Sequence, residues 1–276
     1  MGVCAALSSP EAVEVLAASG LDFTLIDQMY TSTDWMTTAN MIRAAQARGM
    51  STLIRPEANP WVGAGGNAGQ IASETIRALG VGATGVCASV HSPDELKAML
   101  ESGKDWHRQH HVVPFAGTPQ NGEVTTWPEH EAAVRERTMI VPLFESQTTL
   151  DQFERMLEVE GLEAAMFAGS DGSRVLGLGL NYEHPTLWNR IDEVVKICER
   201  RGIVLGSGTG HAFQTAETIG KRIKRMVDHG LKIILIQTDG AMLQFMMQSI
   251  FAVAKAELGS EFKPIGDRVR EMTGRS

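Results

Sequence analysis

Met139-Ile140-Val141-Pro142-Leu143-Phe144 is an unbroken apolar run that ends on a carboxylate, Glu145. A strand with one solvated face alternates apolar and polar residues. A run apolar throughout is what a parallel sheet covered on both faces requires. Ile233-Ile-Leu-Ile236 reads in the same way. Outward from these two runs, short apolar stretches alternate with amphipathic ones along nearly the whole chain. Strands are read at Gly2–Leu7, Phe23–Asp27, Ser51–Arg55, Thr84–Val90, Met139–Phe144, Ala164–Ala168, Ile203–Gly206 and Lys232–Gln237. Helices are read near Pro10–Ser19, Trp35–Arg48, Ala68–Leu79, Pro93–Glu101, Pro128–Glu136, Thr149–Glu158, Thr186–Arg201, Ala212–His229 and Gly240–Ala256. Ser9-Pro10 and Ser92-Pro93 supply an N-cap followed by proline at the first helical position. Gly103–Glu123 breaks the alternation and reads as an irregular excursion, and Gly169–Gly179 reads as a glycine-rich loop. Eight strand–helix units predict a closed (β/α)8 TIM barrel rather than an open sheet. No linker composition divides the chain, so a single domain over 1–276 is expected, close to the size of about 250 residues that such a barrel takes.

The bulk composition narrows the function classes. The net charge is −8, from 25 basic and 33 acidic residues. That balance disfavours phosphate backbones and anionic membranes, so neither nucleic acid nor a membrane is an expected partner. No apolar run reaches the length of a transmembrane helix. The first residues lack the basic and apolar regions of a secretion signal. Cys4, Cys87 and Cys198 show no CxxC spacing, which suits reduced thiols and a cytoplasmic location.

In a barrel of this kind the reactive groups gather at the C-terminal ends of the strands. Asp27, Arg55 and Glu145 end strands 2, 3 and 5. His91 follows strand 4, Ser170 and Asp171 follow strand 6, and Asp239 follows strand 8. Two carboxylates on adjacent strand ends, Glu145 and Asp171, repel unless a cation or a proton lies between them. Mg²⁺ or Mn²⁺ suits oxygen-only ligands of this kind. The alternative is that each carboxylate caps a loop or pairs with a nearby arginine. Arg55 has the planar fork that suits a substrate carboxylate or an enolate oxygen, or else an ion pair with Asp27 or Glu57. Asp27 either orients a neighbouring base or holds a loop. The glycine-rich stretches Gly63–Gly69 and Gly206–Gly210 lack P-loop and Rossmann features and are better explained by tight turns. His107, His110 and His111 read as a solvated or interfacial loop, and Met242, Met246 and Met247 as core or subunit packing.

Several of these residues stand within longer motifs: Gly20-Leu-Asp-Phe-Thr-Leu-Ile-Asp27, Leu53-Ile-Arg55-Pro, Leu79-Gly-Val-Gly-Ala83, Phe144-Glu-Ser146 and Ala168-Gly-Ser-Asp171, the last followed by Leu176-Gly177 and His184-Pro185. Together they resemble the HpcH/HpaI aldolase family, the metal-dependent class II pyruvate aldolases related to citrate lyase β subunits, over about Gly2–Ala256. The resemblance implies a barrel of the phosphoenolpyruvate/pyruvate type. It implies that Glu145 and Asp171 hold the divalent metal, Mg²⁺ or Mn²⁺ with Co²⁺ as a further option. It implies that Arg55 contacts the 2-oxo acid and stabilises its enolate, and that the backbone N–H groups of Ser170 and Asp171 hold the pyruvate carboxylate. Asp27 matches an acid that orients a catalytic histidine. The family further implies a homo-oligomer, a hexamer built from dimers whose last helices (here about 240–256) are exchanged.

Three departures shape the reading. Asp27-Gln28-Met29-Tyr30 stands where the family has Asp-x-Glu-His, so Tyr30 replaces the histidine base. Leu143 replaces a glutamine two residues before the metal glutamate, and Gly103–Glu123 replaces a proline-rich, arginine-containing segment. The chain also opens on its first strand, without the family's leading helix. A tyrosine of ordinary pKa about 10 is a poor base at neutral pH. Proton transfer would then run through a metal-bound water, His91, or a histidine of the divergent loop or a neighbouring subunit. The leading expectation is a carbon–carbon lyase acting on 4-hydroxy-2-oxo acids through a pyruvate enolate, with an aldehyde as second reactant. The alternatives are an oxaloacetate-type decarboxylase or citrate-lyase-like enzyme, and an inactive barrel that binds a 2-oxo acid.

Overall fold

The computed structural model describes residues 1–57, 68–110, 128, 132, 135–145, 151–210 and 215–259, the side chains of 105–110 apart. Eight parallel strands close into a barrel in sequence order. They are β1 (Gly2–Ala5), β2 (Phe23–Asp27), β3 (Ser51–Arg55), β4 (Gly85–Ser89), β5 (Met139–Phe144), β6 (Ala164–Phe167), β7 (Val204–Gly208) and β8 (Ile233–Thr238). The described helices between and after them are α1 (Pro10–Ala18), α2 (Trp35–Gln46), α3 (Ala68–Gly80), α4 (Pro93–His110), α5 (Phe153–Leu157), α6 (Gly169–Val175), α7 (Pro185–Arg201), α8 (Ala216–Asp228) and α9 (Asp239–Leu258). The eight-unit reading of the sequence and the barrel it predicts are therefore what the chain forms.

The continuous apolar strands have the reason assigned to them. Ala5, Ile26, Ile54, Val86, Phe144 and Phe167 face outward and pack beneath the helices. Cys4, Leu25, Leu53, Cys87, Val141, Leu143, Ala164 and Met166 face inward and fill the barrel. Both faces are dry, and each fully buried large aliphatic or aromatic side chain contributes about 1.5–3 kcal/mol. Closure of the β8–β1 seam involves Asp239, which accepts from the backbone N–H groups of Ala6 at 2.9 Å and Leu7 at 3.3 Å. This strand-end carboxylate is thus occupied in holding the barrel shut.

Helix starts follow their caps. Ser9 accepts from the N–H of Ala12 at 3.1 Å ahead of Pro10. At α4, Ser92 accepts from the N–H of Glu95 at 3.2 Å while the Glu95 carboxylate accepts from the N–H of His91 at 2.8 Å. The pair resembles a capping box, with the carboxylate reaching one residue beyond the cap.

Two sequence readings are corrected. The helix expected to stop near Glu101 continues to His110, so the first part of the stretch read as an excursion is helical. Gly103, the first residue of that stretch, lies where the helix crosses β5. A Cβ there would come within 2.3 Å of the Ile140 side chain, so glycine is what permits the close approach. Second, Gly169–Val175, read as loop, is the helix α6. Ser173 stabilises it with a hydroxyl shared between the carbonyl of Ser170 at 2.8 Å and that of Gly179, beyond the helix, at 2.7 Å. The Gly63–Gly66 part of the first glycine-rich stretch, the excursion beyond His110 and His111 lie outside the described residues, as do the side chains of His107 and His110.

Candidate active site

Strand geometry determines which polar side chains meet. Successive residues of a strand point to opposite faces, so a residue two beyond an inward one is also inward. Leu25, Leu53, Cys87 and Leu143 fill the barrel. Two residues further along the same strands come Asp27, Arg55, Ser89 and Glu145, at the C-terminal mouth. A cavity of about 670 Å³, its open mouth included, lies there. Its walls include Arg55, Glu145, Ser170 and Asp171, joined by Tyr182, Thr209 and Gln237. Its floor is Cys4, Leu25, Cys87, Leu143 and Met166. Burial pushes the Cys4 and Cys87 thiols up to about 12, which keeps both neutral.

Four of the sequence-predicted site residues thus share one cavity. Asp27 does not line it but stands directly behind Arg55. Their Cα positions are partners in the β2–β3 register. The Arg55 Nε donates to Asp27 Oδ1 at 2.9 Å, and Nη2 donates to Oδ2. Asp27 is 2% exposed and also accepts from the N–H groups of Met29 at 2.9 Å and Tyr30 at 3.4 Å. Burial alone would lower the pKa of Arg55. The hydrogen bonds and charge of Asp27 outweigh it and hold the guanidinium above its ordinary value. Asp27 therefore fixes an arginine here, where the family resemblance implied an acid orienting a histidine. Tyr30 is 65% exposed, and the Arg55 guanidinium lies 5.0 Å from its ring centroid. His91 is half-buried at the start of α4 and outside the cavity lining. Burial lowers its pKa, partly opposed by the charge of Glu95.

Glu145 is 6% exposed and accepts from the Ser89 hydroxyl. Burial raises its carboxyl above the usual range, the Ser89 bond opposes this, and the charge of Asp171 adds to it. Asp171, at the start of α6, also accepts from Arg174 at 2.9 Å. Two oxygen-only groups in one cavity, Glu145 bonded by Ser89 and Asp171 paired with Arg174, form a donor set that fits a hard divalent cation. Among the described residues no cluster of three or more His, Cys, Asp and Glu forms a cage. A cation held by Glu145 and Asp171 would leave its other positions to water and substrate, as Mg²⁺ does at sites with one or two carboxylates.

Sequence reasoning missed Tyr182, Ser89 and Gln237. Ser89 and Gln237 carried a signal, since both are inward residues at strand ends. Tyr182 carried none: it lies between α6 and α7, where no periodicity applies. It is 7% exposed and its hydroxyl bonds that of Ser170. Burial raises its phenol to about 12, with the Ser170 bond opposing. Its ring lies 4.9 Å from the Arg222 guanidinium, its carbonyl accepts from the Trp188 indole at 2.6 Å, and Gly169 and Gly210 both lie against it. Gly210 has φ +97°, and a Cβ there would lie 2.7 Å from the Tyr182 ring. The second glycine-rich stretch therefore ends β7 and admits this ring.

Fold and site together define a (β/α)8 barrel with a carboxylate-bearing cavity at its C-terminal mouth. No protein-family model matches the chain. A 2-dehydro-3,6-dideoxy-6-sulfogluconate aldolase of Pseudomonas putida is 22% identical over 255 residues, 92% of each chain. An HpcH/HpaI aldolase from Desulfitobacterium hafniense superimposes with a TM-score of 0.75 at 21% identity, over 95% of this chain and 94% of that one. An HpcH/HpaI aldolase/citrate lyase family protein from Burkholderia cenocepacia gives 0.67 at 20% identity, over 92% and 93%. The likeness to the HpcH/HpaI aldolases thus holds in fold and along nearly the whole chain.

Proposed function

We propose that the chain is a metal-dependent carbon–carbon lyase that forms or cleaves 4-hydroxy-2-oxo acids through a pyruvate enolate. The observation that carries this reading is the convergence of Arg55, Glu145, Ser170 and Asp171 on one cavity, together with its aldolase relative. Glu145 and Asp171 would hold the cation, Mg²⁺ or Mn²⁺ with Co²⁺ as a further option. When bound it supplies a Lewis acid that draws electron density from the keto oxygen. Arg55, locked by Asp27, presents its remaining N–H groups to the oxygen on which the enolate charge grows. The N–H groups of Ser170 and Asp171 lie in the first turn of α6, where no intrahelical acceptor exists, and serve the substrate carboxylate. Leu25, Leu143 and Met166 keep the floor apolar, which strengthens these charge interactions.

The test is pyruvate release from a 4-hydroxy-2-oxo acid, with and without EDTA, and in Glu145→Gln and Asp171→Asn. Release that persists after metal removal and in both variants would overturn the reading. A second reading, oxaloacetate decarboxylation, is favoured by the engagement of Asp27 with Arg55. No histidine or lysine lines the cavity among the described residues, and decarboxylation needs no base to form the enolate. Following CO₂ from oxaloacetate beside aldehyde-dependent condensation of pyruvate separates the two. Condensation without CO₂ release removes the second.

The same reading makes the protein a homo-oligomer, a hexamer built on dimers that exchange the final helix. Its support is α9, on which Leu243, Met246, Met247, Ile250 and Phe251 are exposed. An apolar surface of that extent calls for a covering partner. The buried free thiols Cys4, Cys87 and Cys198 support a reducing, cytoplasmic setting. No described helix is long and apolar enough to cross a membrane.

A further inference from the structure

We propose that Tyr182 is a substrate-contacting residue that, with Ser170, donates a hydrogen bond to the oxygen of the aldehyde-derived half of the substrate. The inference rests on the lyase reading above.

Tyr182 and Ser170 bond one another through their hydroxyls, and either can be the donor. Each hydroxyl has one hydrogen. One is spent between them, so the pair retains one hydrogen to give. Both residues line the cavity that Glu145 and Asp171 also line. Whichever way the internal bond runs, the spare donor is carried by a residue that lines that cavity.

The ring is held in place from several sides. Arg222 lies over it at 4.9 Å, Gly210 leaves it room that a Cβ would take, and Trp188 fixes the backbone carbonyl at 2.6 Å. Arg222 is itself anchored, donating to the Thr209 carbonyl at 2.9 Å and to Glu183 at 3.1 Å. Such a clamp orients a hydroxyl within a fraction of an ångström, as transition-state recognition requires.

Placement then assigns the partner. Around the barrel, Arg55, Glu145 and Asp171 stand at the ends of β3, β5 and β6. They supply the charge that a 2-oxo acid and its enolate need. Tyr182 enters farther round, beside Gly210 after β7, and brings an uncharged donor. In the condensation the enolate carbon attacks the aldehyde carbon. The carbonyl π pair moves onto oxygen, and that oxygen then takes a proton from a water molecule to become the 4-hydroxyl. Cleavage reverses this: the hydroxyl gives its proton to water, the C3–C4 pair passes to C3, and the aldehyde carbonyl forms. In both directions the oxygen carries transient negative charge, which a fixed hydroxyl donor stabilises.

The experiment compares wild type, Tyr182→Phe and Ser170→Ala on 4-hydroxy-2-oxopentanoate and on oxalate, each with Mg²⁺. The expected result is a fall of about 10–100-fold in kcat/KM for cleavage in Tyr182→Phe. Affinity for oxalate, measured by calorimetry, should fall at least tenfold less, because oxalate lacks the second half. Ser170→Ala, which leaves the phenol its hydrogen but removes the hydroxyl that aims it, keeps the test decisive should Tyr182→Phe fold poorly, and should show the same imbalance to a smaller extent. Tyr30 and Tyr182 are the two tyrosines of the chain, so 3-fluorotyrosine gives two ¹⁹F resonances, assigned with Tyr30→Phe. The Tyr182 resonance should shift further with the hydroxy acid than with oxalate. Equal losses on both ligands, or no loss on cleavage, would overturn the proposal and leave the lyase reading standing. A wild type that neither binds oxalate nor cleaves the hydroxy acid would overturn both.

Discussion

The Asp27–Arg55 pair allows stability and chemistry to be separated by substitution. Asp27 is 2% exposed and accepts two hydrogen bonds from Arg55 and two from backbone N–H groups. Arg55→Met leaves a buried carboxylate with only its backbone donors. Asp27→Asn keeps an oxygen for the Met29 N–H but leaves the guanidinium without its counter-charge. Removing one member of a buried pair costs about 3–5 kcal/mol. The Asp27→Asn loss should lie near the lower end, because the guanidinium can turn toward the cavity mouth. The double variant Asp27→Asn/Arg55→Met restores a neutral pair and keeps the Met29 bond. It should recover to within about 1–2 kcal/mol of wild type, since neutral replacements of buried pairs are often close to neutral in stability. Pyruvate release should not recover, because the arginine is gone. The assay is a double-mutant cycle by urea unfolding at fixed protein concentration, with pyruvate release measured on the same samples. A coupling below about 0.5 kcal/mol, within the range seen for independent sites, would refute this account of the pair.

Three further outcomes follow from the structure. Gly210→Ala places a methyl against the Tyr182 ring at positive φ and should destabilise by about 1–3 kcal/mol, read as a lowered Tm; an unchanged Tm would contradict the packing described. Burial depresses the pKa of His91 in the folded chain, so below the ordinary histidine value of about 6.5 the unfolded state takes up the proton first. Stability from this residue is therefore complete above that value and lost as pH falls through the depressed one; His91→Gln should flatten that part of the Tm–pH curve, and an identical slope would exclude the residue as its source. Met246→Glu with Phe251→Glu places charge on the exposed apolar side of α9 and should shift the mass measured by light scattering toward the monomer, whereas an unchanged mass would show that assembly uses another surface.

The barrel was legible because a parallel sheet imposes a strong rule: both faces are dry, so the strands lose their alternation. Arg55 and Glu145 were legible for a related reason, since each continues an inward series through Leu53 or Leu143 to the mouth. What escaped detection depends on tertiary contacts. The glycines and serines of Gly169–Val175 have modest helix propensity, and that helix draws on the hydroxyl bonds of Ser173. The extension of α4 past Gly103 reflects a close crossing over Ile140, which no local pattern announces. Asp27 was read as the orienter of a base or the holder of a loop. Its engagement with Arg55, raised only as an alternative for the arginine, follows from the β2–β3 register that sets their Cα atoms side by side.

The cavity floor has a consequence for chemical durability. An enzyme that handles aldehydes exposes its own nucleophiles to them, and a thiolate under the substrate would form hemithioacetals or be alkylated. Cys4 and Cys87 stand on that floor, yet burial lifts both thiols to about 12. At neutral pH almost none of either is thiolate, the form that reacts. Low polarity beneath the substrate thus protects the catalyst from the electrophile it is proposed to turn over, and two cysteines can sit in a carbonyl-processing chamber without becoming its targets.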